Sequence, residues 1–181
     1  MVTDLFQPKR TSATQAPNID FVGEAKKRGA IDAKTIRVRS ISLGNWTRLK
    51  CQFGCQHFGR LHTCPTFTPT TQEMSDILMD YEKALVVEAN GSSKVHELVL
   101  GLENHFKSLG FSKAFALEAR PCELCEVCTV ETHCEHAEQS RPTMQGCGID
   151  VSLTMTNIGW KEASAQVPCS VDQTVGIILL D

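Results

Sequence analysis

The chain has 181 residues, nine of them cysteine, and a formal net charge of -3. That length holds one domain with its own core and is short for two. Mixed charges with a slight acidic excess give no reason to expect nucleic acid or an anionic membrane as a partner, and no apolar run of roughly 18 residues offers a membrane span.

The opening "MVTDLFQPKRTSATQAPN" is polar, carries no apolar leader and reads as a loosely ordered arm over 1–19. Residues 20–181 are then a single domain, and the expected location is the cytoplasm. In "NIDFVGEAKKRGA", Asn18 and Asp20 are cap candidates and Gly29 is a stop, which predicts a short helix. "AKTIRVRSIS" alternates, with Ile36 and Val38 on one face, as a strand does. Met74, Ile77, Leu78 and Tyr81 recur at helical spacing after cap-type threonines, predicting a helix over 71–83. "ALVVEA" (84–89) is a short β-branched run and predicts a buried strand.

Val95, Leu98, Leu102, Phe106 and Leu109 form one stripe that ends at Gly110, an amphipathic helix. "KAFALEA" (113–119) predicts another strand, so 84–119 has the size of a βαβ unit, which favours parallel pairing. "GIDVSLTMTNIG" mixes β-branched residues with helical spacing; Asp150 as a cap and Gly159 as a stop favour a helix. "TVGIILL" (174–180) reads as a buried strand. The sum is a small α+β or α/β sandwich, a few-stranded sheet with helices and with cysteine-bearing loops at one end.

Nine cysteines without an export leader call for a use other than disulfides, and an odd number forbids full pairing within one chain. "CELCEVCTVETHC" sets Cys122, Cys125 and Cys128 at a three-residue interval, with Cys134 after five more residues. Thiols at i, i+3 and i+6 match the ligand run of ferredoxin-type clusters. Zinc, the rival, generally takes two Cys-x2-Cys pairs separated by a longer loop. The ferredoxin run places its fourth cysteine after three residues and follows it with proline. Here Cys134 comes later and precedes Glu135, so it closes the same cluster or serves another.

Upstream, "CQFGCQHFGRLHTCPTFTPT" holds Cys51, Cys55 and Cys64 in what reads as a glycine-bearing loop. Three thiols there form a second metal site or are simply buried apolar residues. Cys147, in "MQGCGID", is a candidate fourth ligand of either group. Cys169 is isolated and reads as a lone thiol. His57 and His62 interleave the upstream group, and His133 and His136 flank Cys134; exposed loop histidine is their commoner role. Arg120 and Arg141 bracket the downstream group, where a guanidinium would offset the negative charge of a thiolate cluster; an ordinary surface charge is their plain alternative.

The stretches "RLKCQFGC", "CPTFTPT", "DYEKAL", "KAFALEARPCELCEVC", "CEHAEQSRPTMQGCGIDV" and "GIILLD" together resemble a family of cysteine-rich domains of unknown function, predicted to bind metal. The resemblance runs from about residue 20 onward. The family pattern differs at Thr66, Arg120 and His136, while every matched cysteine is in place. The resemblance implies a metal or iron–sulfur role at Cys122, Cys125, Cys128 and Cys134, with a second role at Cys51, Cys55 and Cys64. It implies no reaction.

Three functions fit. One is an electron-transfer or redox-accessory protein with one 4Fe-4S cluster or two, serving a redox partner protein. Another is an enzyme that holds a substrate atom, such as sulfur or oxygen, on an open iron of a three-cysteine cluster. The last is a zinc-stabilised binding domain. No phosphate loop, dinucleotide fingerprint or serine–histidine constellation suggests other chemistry.

Overall fold

A computed structural model describes residues 19–160 and 171–181. Cys169 and nearly all of the expected arm lie outside them; Ile19, at the arm's end, packs against the core. Helix α1 (Phe21–Lys27) starts where the Asp20 carboxylate accepts the Gly23 N–H at 2.8 Å, and its chain reverses at Gly29 with φ of 97°. Strand β1 (Ala30–Arg37) follows, then helix α2 (Asn45–Gly54), whose second half is the start of the expected glycine-bearing loop. Helix α3 (Thr71–Leu78) opens on a capping box, Thr70 and Glu73 satisfying each other's backbone N–H. It stops short of residue 83: Met79 caps it, and Tyr81 turns to donate its hydroxyl to the Lys113 carbonyl at 2.9 Å.

Strand β2 (Lys83–Ala89), helix α4 (Val95–Ser108) and strand β3 (Phe115–Glu118) come next. Helix α5 (Val151–Asn157) is capped by Asp150 as expected, its carboxylate accepting the Leu153 N–H at 2.9 Å. Strand β4 (Val175–Leu180) completes the described elements.

The four strands lie in the order β1-β2-β4-β3, and every neighbouring pair is antiparallel. The expected parallel pairing of β2 with β3 therefore does not occur. Those two strands run the same way, but β4 is inserted between them, pairing Ala84 with Leu179 on one side and Phe115 with Leu179 on the other. The fully apolar "VGIILL" suits a strand buried on both faces and hydrogen-bonded on both edges.

Alternation along the strands splits the core in two. Leu85, Val87, Ala116, Ile178 and Leu180 face α1 and α4, whose Phe21 and Phe106 rings meet edge-on at 5.1 Å. Val86, Leu117, Ile177 and Leu179 face α3, α5 and the segment 144–149. The α+β sandwich is as expected. The cysteines are not confined to loops at one end, however: Cys51 lies in α2, and Cys147 belongs to the second core. Among the described residues, no helix is long and apolar enough to cross a membrane.

Candidate metal centre

The downstream thiols sit on a segment with no helix or strand, which leaves the sheet after β3. Both of its ends are held by buried arginines. Arg120 donates to the Ser92 carbonyl at 2.8 Å and pairs with Glu123. Arg141 forms a two-pronged pair with Glu103 of α4, both contacts 2.6 Å, and donates to the carbonyls of Glu138 and Ser140. Glu103 is fully buried and also accepts from Lys107 and from the Ala116 N–H of β3. The two guanidiniums expected to offset a cluster's charge are thus already matched by carboxylates. Neither is an ordinary surface charge, since each is only 6% exposed.

Within this frame Cys122, Cys125, Cys128 and Cys134 wall one cavity of about 20 Å3, together with Leu61, His62, His136 and Ser140. The His62 Nε2 lies 3.2 Å from the Thr129 carbonyl and ties the upstream segment to this one. Cys134 Sγ points at Ser140 Oγ at 3.7 Å. His57 and His133 do not line this cavity. Burial pushes the Cys122 thiol up, with Glu118, Cys125 and Cys134 adding to the rise against a backbone hydrogen bond from Leu124. Cys125 is exposed, yet residual desolvation and the neighbouring Cys128, Cys134 and Glu135 push it up too. Neighbouring thiols thus oppose the ionisation of Cys122 and Cys125, a repulsion that a bound cation relieves.

Sequence reasoning passed over the residue beside Cys122. Glu118, at the end of β3 and 1% exposed, takes His96 Nδ1 at 2.9 Å, while its second oxygen has no hydrogen-bond partner. It was legible only as the polar end of a strand.

The upstream group is built differently. Cys51 is on the buried side of α2, one turn after Thr47, and Cys55 caps that helix, its N–H donating to the Cys51 carbonyl at 3.2 Å. A hairpin-like loop then returns, the Gly59 N–H donating to the Pro65 carbonyl at 2.7 Å, and brings in buried Cys64. Cys147 is fully buried. Burial pushes Cys64 up to about 12, with Cys55 and Cys51 adding to the rise and a hydrogen bond with Thr143 opposing it. Burial pushes Cys147 up to about 12 as well, opposed by Arg48 and reinforced by Cys64. Cys147 is therefore within electrostatic reach of Cys64 and of Arg48 on α2.

Two features hold Cys147 there. Arg48 of α2 donates to the carbonyls of Pro69 and Gly146. Glycines flank the thiol: a Cβ on Gly148, whose φ is 84°, would lie 2.3 Å from Thr71 Oγ1, and one on Gly146 would lie 2.4 Å from Thr143 Oγ1. Arg48 and Thr143 carry no sequence signature of their own.

Cys55, Cys64, Cys122, Cys125, Cys128, Cys134 and Cys147 carry no disulfide. All-thiol donor sets of this kind suit zinc or iron–sulfur chemistry. Among the described residues, no three His, Cys, Asp or Glu side chains stand close enough to grip one ion as they are placed. The grouping rests on a shared cavity and on mutual charge effects.

Residues 34–180 match the family described as "Predicted metal-binding protein (DUF2284)". The chain belongs to this family. The match spans β1 to β4 and so takes in both thiol groups and the sheet between them. No curated protein and no solved structure gives a match. What the family description adds to the geometry is metal binding, with the metal unspecified.

Proposed function

We propose that the chain is an iron–sulfur protein that works in electron transfer, or as a redox accessory to a partner enzyme, in a reducing, cytoplasmic setting. Cys122, Cys125, Cys128 and Cys134 hold a 4Fe-4S cluster, and Cys51, Cys55, Cys64 and Cys147 are the candidate set for a second. A cluster bound at either set would supply one-electron redox chemistry.

The observation that carries this reading is the convergence of four thiols on one cavity with Cys125 exposed. A redox site near the surface lets a partner protein approach it. Arg120 and Arg141 position the segment that bears the thiols, and Glu103 fixes Arg141. Upstream, Cys147 lies within electrostatic reach of Cys64, and a closed four-thiol set there would suit electron transfer rather than the enzymatic reading.

A second reading has its own support. A cavity of about 20 Å3 has room for roughly one water-sized body. By volume a single zinc ion fits that space once the thiols draw in around it, whereas a cubane needs the segment 121–141 to widen. Anaerobic purification with metal and sulfide assays separates the two. Brown protein with about four irons per chain supports one cubane, and about eight supports two. Colourless protein with full zinc and no sulfide rejects the iron–sulfur reading. Cys125→Ser should bleach the visible absorption and lower solubility, because ligand binding is linked to folding.

A further inference from the structure

Charge is sorted along this chain. Residues 33–72 hold six lysines and arginines and no aspartate or glutamate, whereas residues 121–140 hold five glutamates and no lysine or arginine. Each stretch has two histidines, so these leave the contrast in place. The first stretch includes α2 and the upstream Cys51, Cys55 and Cys64; the second is the loop of the downstream thiols. The two adjoin where His62 meets the Thr129 carbonyl.

Each stretch also turns apolar surface to water. On α2, Trp46, Leu49 and Phe53 are 44%, 56% and 79% exposed, and their i, i+3, i+7 spacing puts them on one face. Lys50 joins that face, its Nζ 4.6 Å from the Trp46 ring centroid. In the loop, Val127 is 79% exposed beside Glu126. Grouped exposed apolar side chains mark sites of association, and the charges around them select the partner. Lys50, Arg60, Glu126, Glu131 and Glu135 are exposed and in no ion pair among the described residues. The other charges nearby are already committed. Arg48 is bonded to Pro69 and Gly146, Glu73 to Thr70, and Asp150 to Leu153 and the Trp46 indole. At the ends of the loop, Arg120 pairs with Glu123 and Arg141 with Glu103.

We propose that the exposed face of α2 is covered by a second copy of this chain. Val127 of one copy packs among Trp46, Leu49 and Phe53 of the other, and Glu126 and Glu131 meet Lys50 and Arg60. Because the basic and acidic stretches adjoin on one molecule, the contact is made twice about a twofold axis and the assembly closes at two copies. Each exposed thiol loop then lies against the helix that carries Cys51 in its neighbour. The contact is small and its rim is charged, so the pair exchanges readily with monomer and the loop stays open to other partners. The pairing uses side chains that hold no metal and is independent of which metal the thiols carry.

The test uses the full chain, purified anaerobically with its native metal content and kept under reductant so that intermolecular disulfides cannot imitate association. Sedimentation equilibrium at roughly 10–500 μM, the range in which small interfaces populate, should show monomer and dimer in exchange. Raising the salt from about 0.05 to 0.5 M should weaken the dimer, since exposed charges are screened. Phe53→Ser should weaken it at least about ten-fold, as loss of a central aromatic anchor does. A chain with Lys50→Glu and Arg60→Glu, and another with Glu126→Lys and Glu131→Lys, should each be monomeric, because like charges then face each other. Mixed in equal amounts, these two variants should regain the dimer, each supplying the charge the other has reversed. All the substituted side chains are exposed, and circular dichroism checks that every variant is folded. A wild-type chain that stays monomeric, reversed chains that still dimerise alone, a mixture that fails to pair, or assemblies larger than a dimer overturn the proposal. Iron, zinc and sulfide assays on the same samples report separately on the metal reading, so either can fail alone.

Discussion

The two thiol groups differ in burial: Cys55 is half-buried, as Cys122, Cys128 and Cys134 are, but its three companions are not. Cys51, Cys64 and Cys147 are at most 1% exposed and are set in a helix, a tight loop and the core itself. Cys122, Cys125, Cys128 and Cys134 are strung along irregular backbone, with Cys125 open to solvent. One group is part of what holds the fold together; the other hangs from it between two arginine anchors. The difference teaches where adaptability resides. A buried group takes a ligand only in the shape the core allows, whereas the outer loop can rearrange around what it holds.

The strongest way to break this contrast is to cut an anchor. Glu103→Ala leaves Arg141 buried and unpaired, and should cost about 3–5 kcal/mol in denaturant unfolding. It should also loosen the outer loop, seen as faster amide exchange across 121–141. Next comes the inner group. Gly148→Ala imposes a left-handed backbone on alanine and drives its Cβ into Thr71. The two penalties together should reach about 2–4 kcal/mol.

A third measurement sharpens the comparison without changing the chain. In metal-free protein under anaerobic conditions, iodoacetamide should label Cys125 roughly 100-fold faster than Cys64 or Cys147, because a local opening of only about 3 kcal/mol must precede attack on a buried thiol. Peptide mass spectrometry reads the order; equal rates would mean that the inner group is not shielded.

The smallest effect concerns pH. Burial by itself raises the Glu103 carboxyl, but its bonds with Arg141, Lys107 and Ala116 outweigh this and hold it below the usual range. A lowered folded-state value adds stability that is fully present above the unfolded value of about 4.3 and is lost as pH falls through the folded one. Acid titration of unfolding should therefore be less steep below that point in Glu103→Gln than in the wild-type chain.

Most of the sandwich is legible in the chain because its apolar periods are regular. Asp20 and Asp150 cap the helices they suggest, and the continuous apolar runs of β2 and β4 mark strands buried on both faces. Helix α2 is hidden because its amphipathicity is inverted. Trp46, Leu49 and Phe53 stand exposed, while Thr47 and Cys51 turn inward, Thr47 donating to the carbonyls of Gly44 and Gln145. A polar residue that buries itself by bonding backbone leaves no hydrophobic trace. The position of β4 is hidden for another reason. A strand–helix–strand run is satisfied equally by direct pairing and by pairing through a third strand, and only the distant β4 distinguishes them. At the candidate centre, the spacing of Cys122, Cys125 and Cys128 signals a shared task. The company of Cys147 and Cys64, across more than eighty residues, depends on a core that the cysteine pattern does not describe.

The placement of β4 also sets a timetable. It is the last of the described elements to be made, yet Ile177 and Leu179 form the floor under the 144–149 segment, and among the described residues β3 has no strand neighbour other than β4. On a ribosome adding about 5–20 residues per second, all eight of the grouped thiols are synthesised seconds before that floor exists. The nascent chain thus passes through an interval in which it carries its sulfur without its scaffold. A cellular factor that delivers metal, or one that keeps thiols reduced, has most to contribute during that interval.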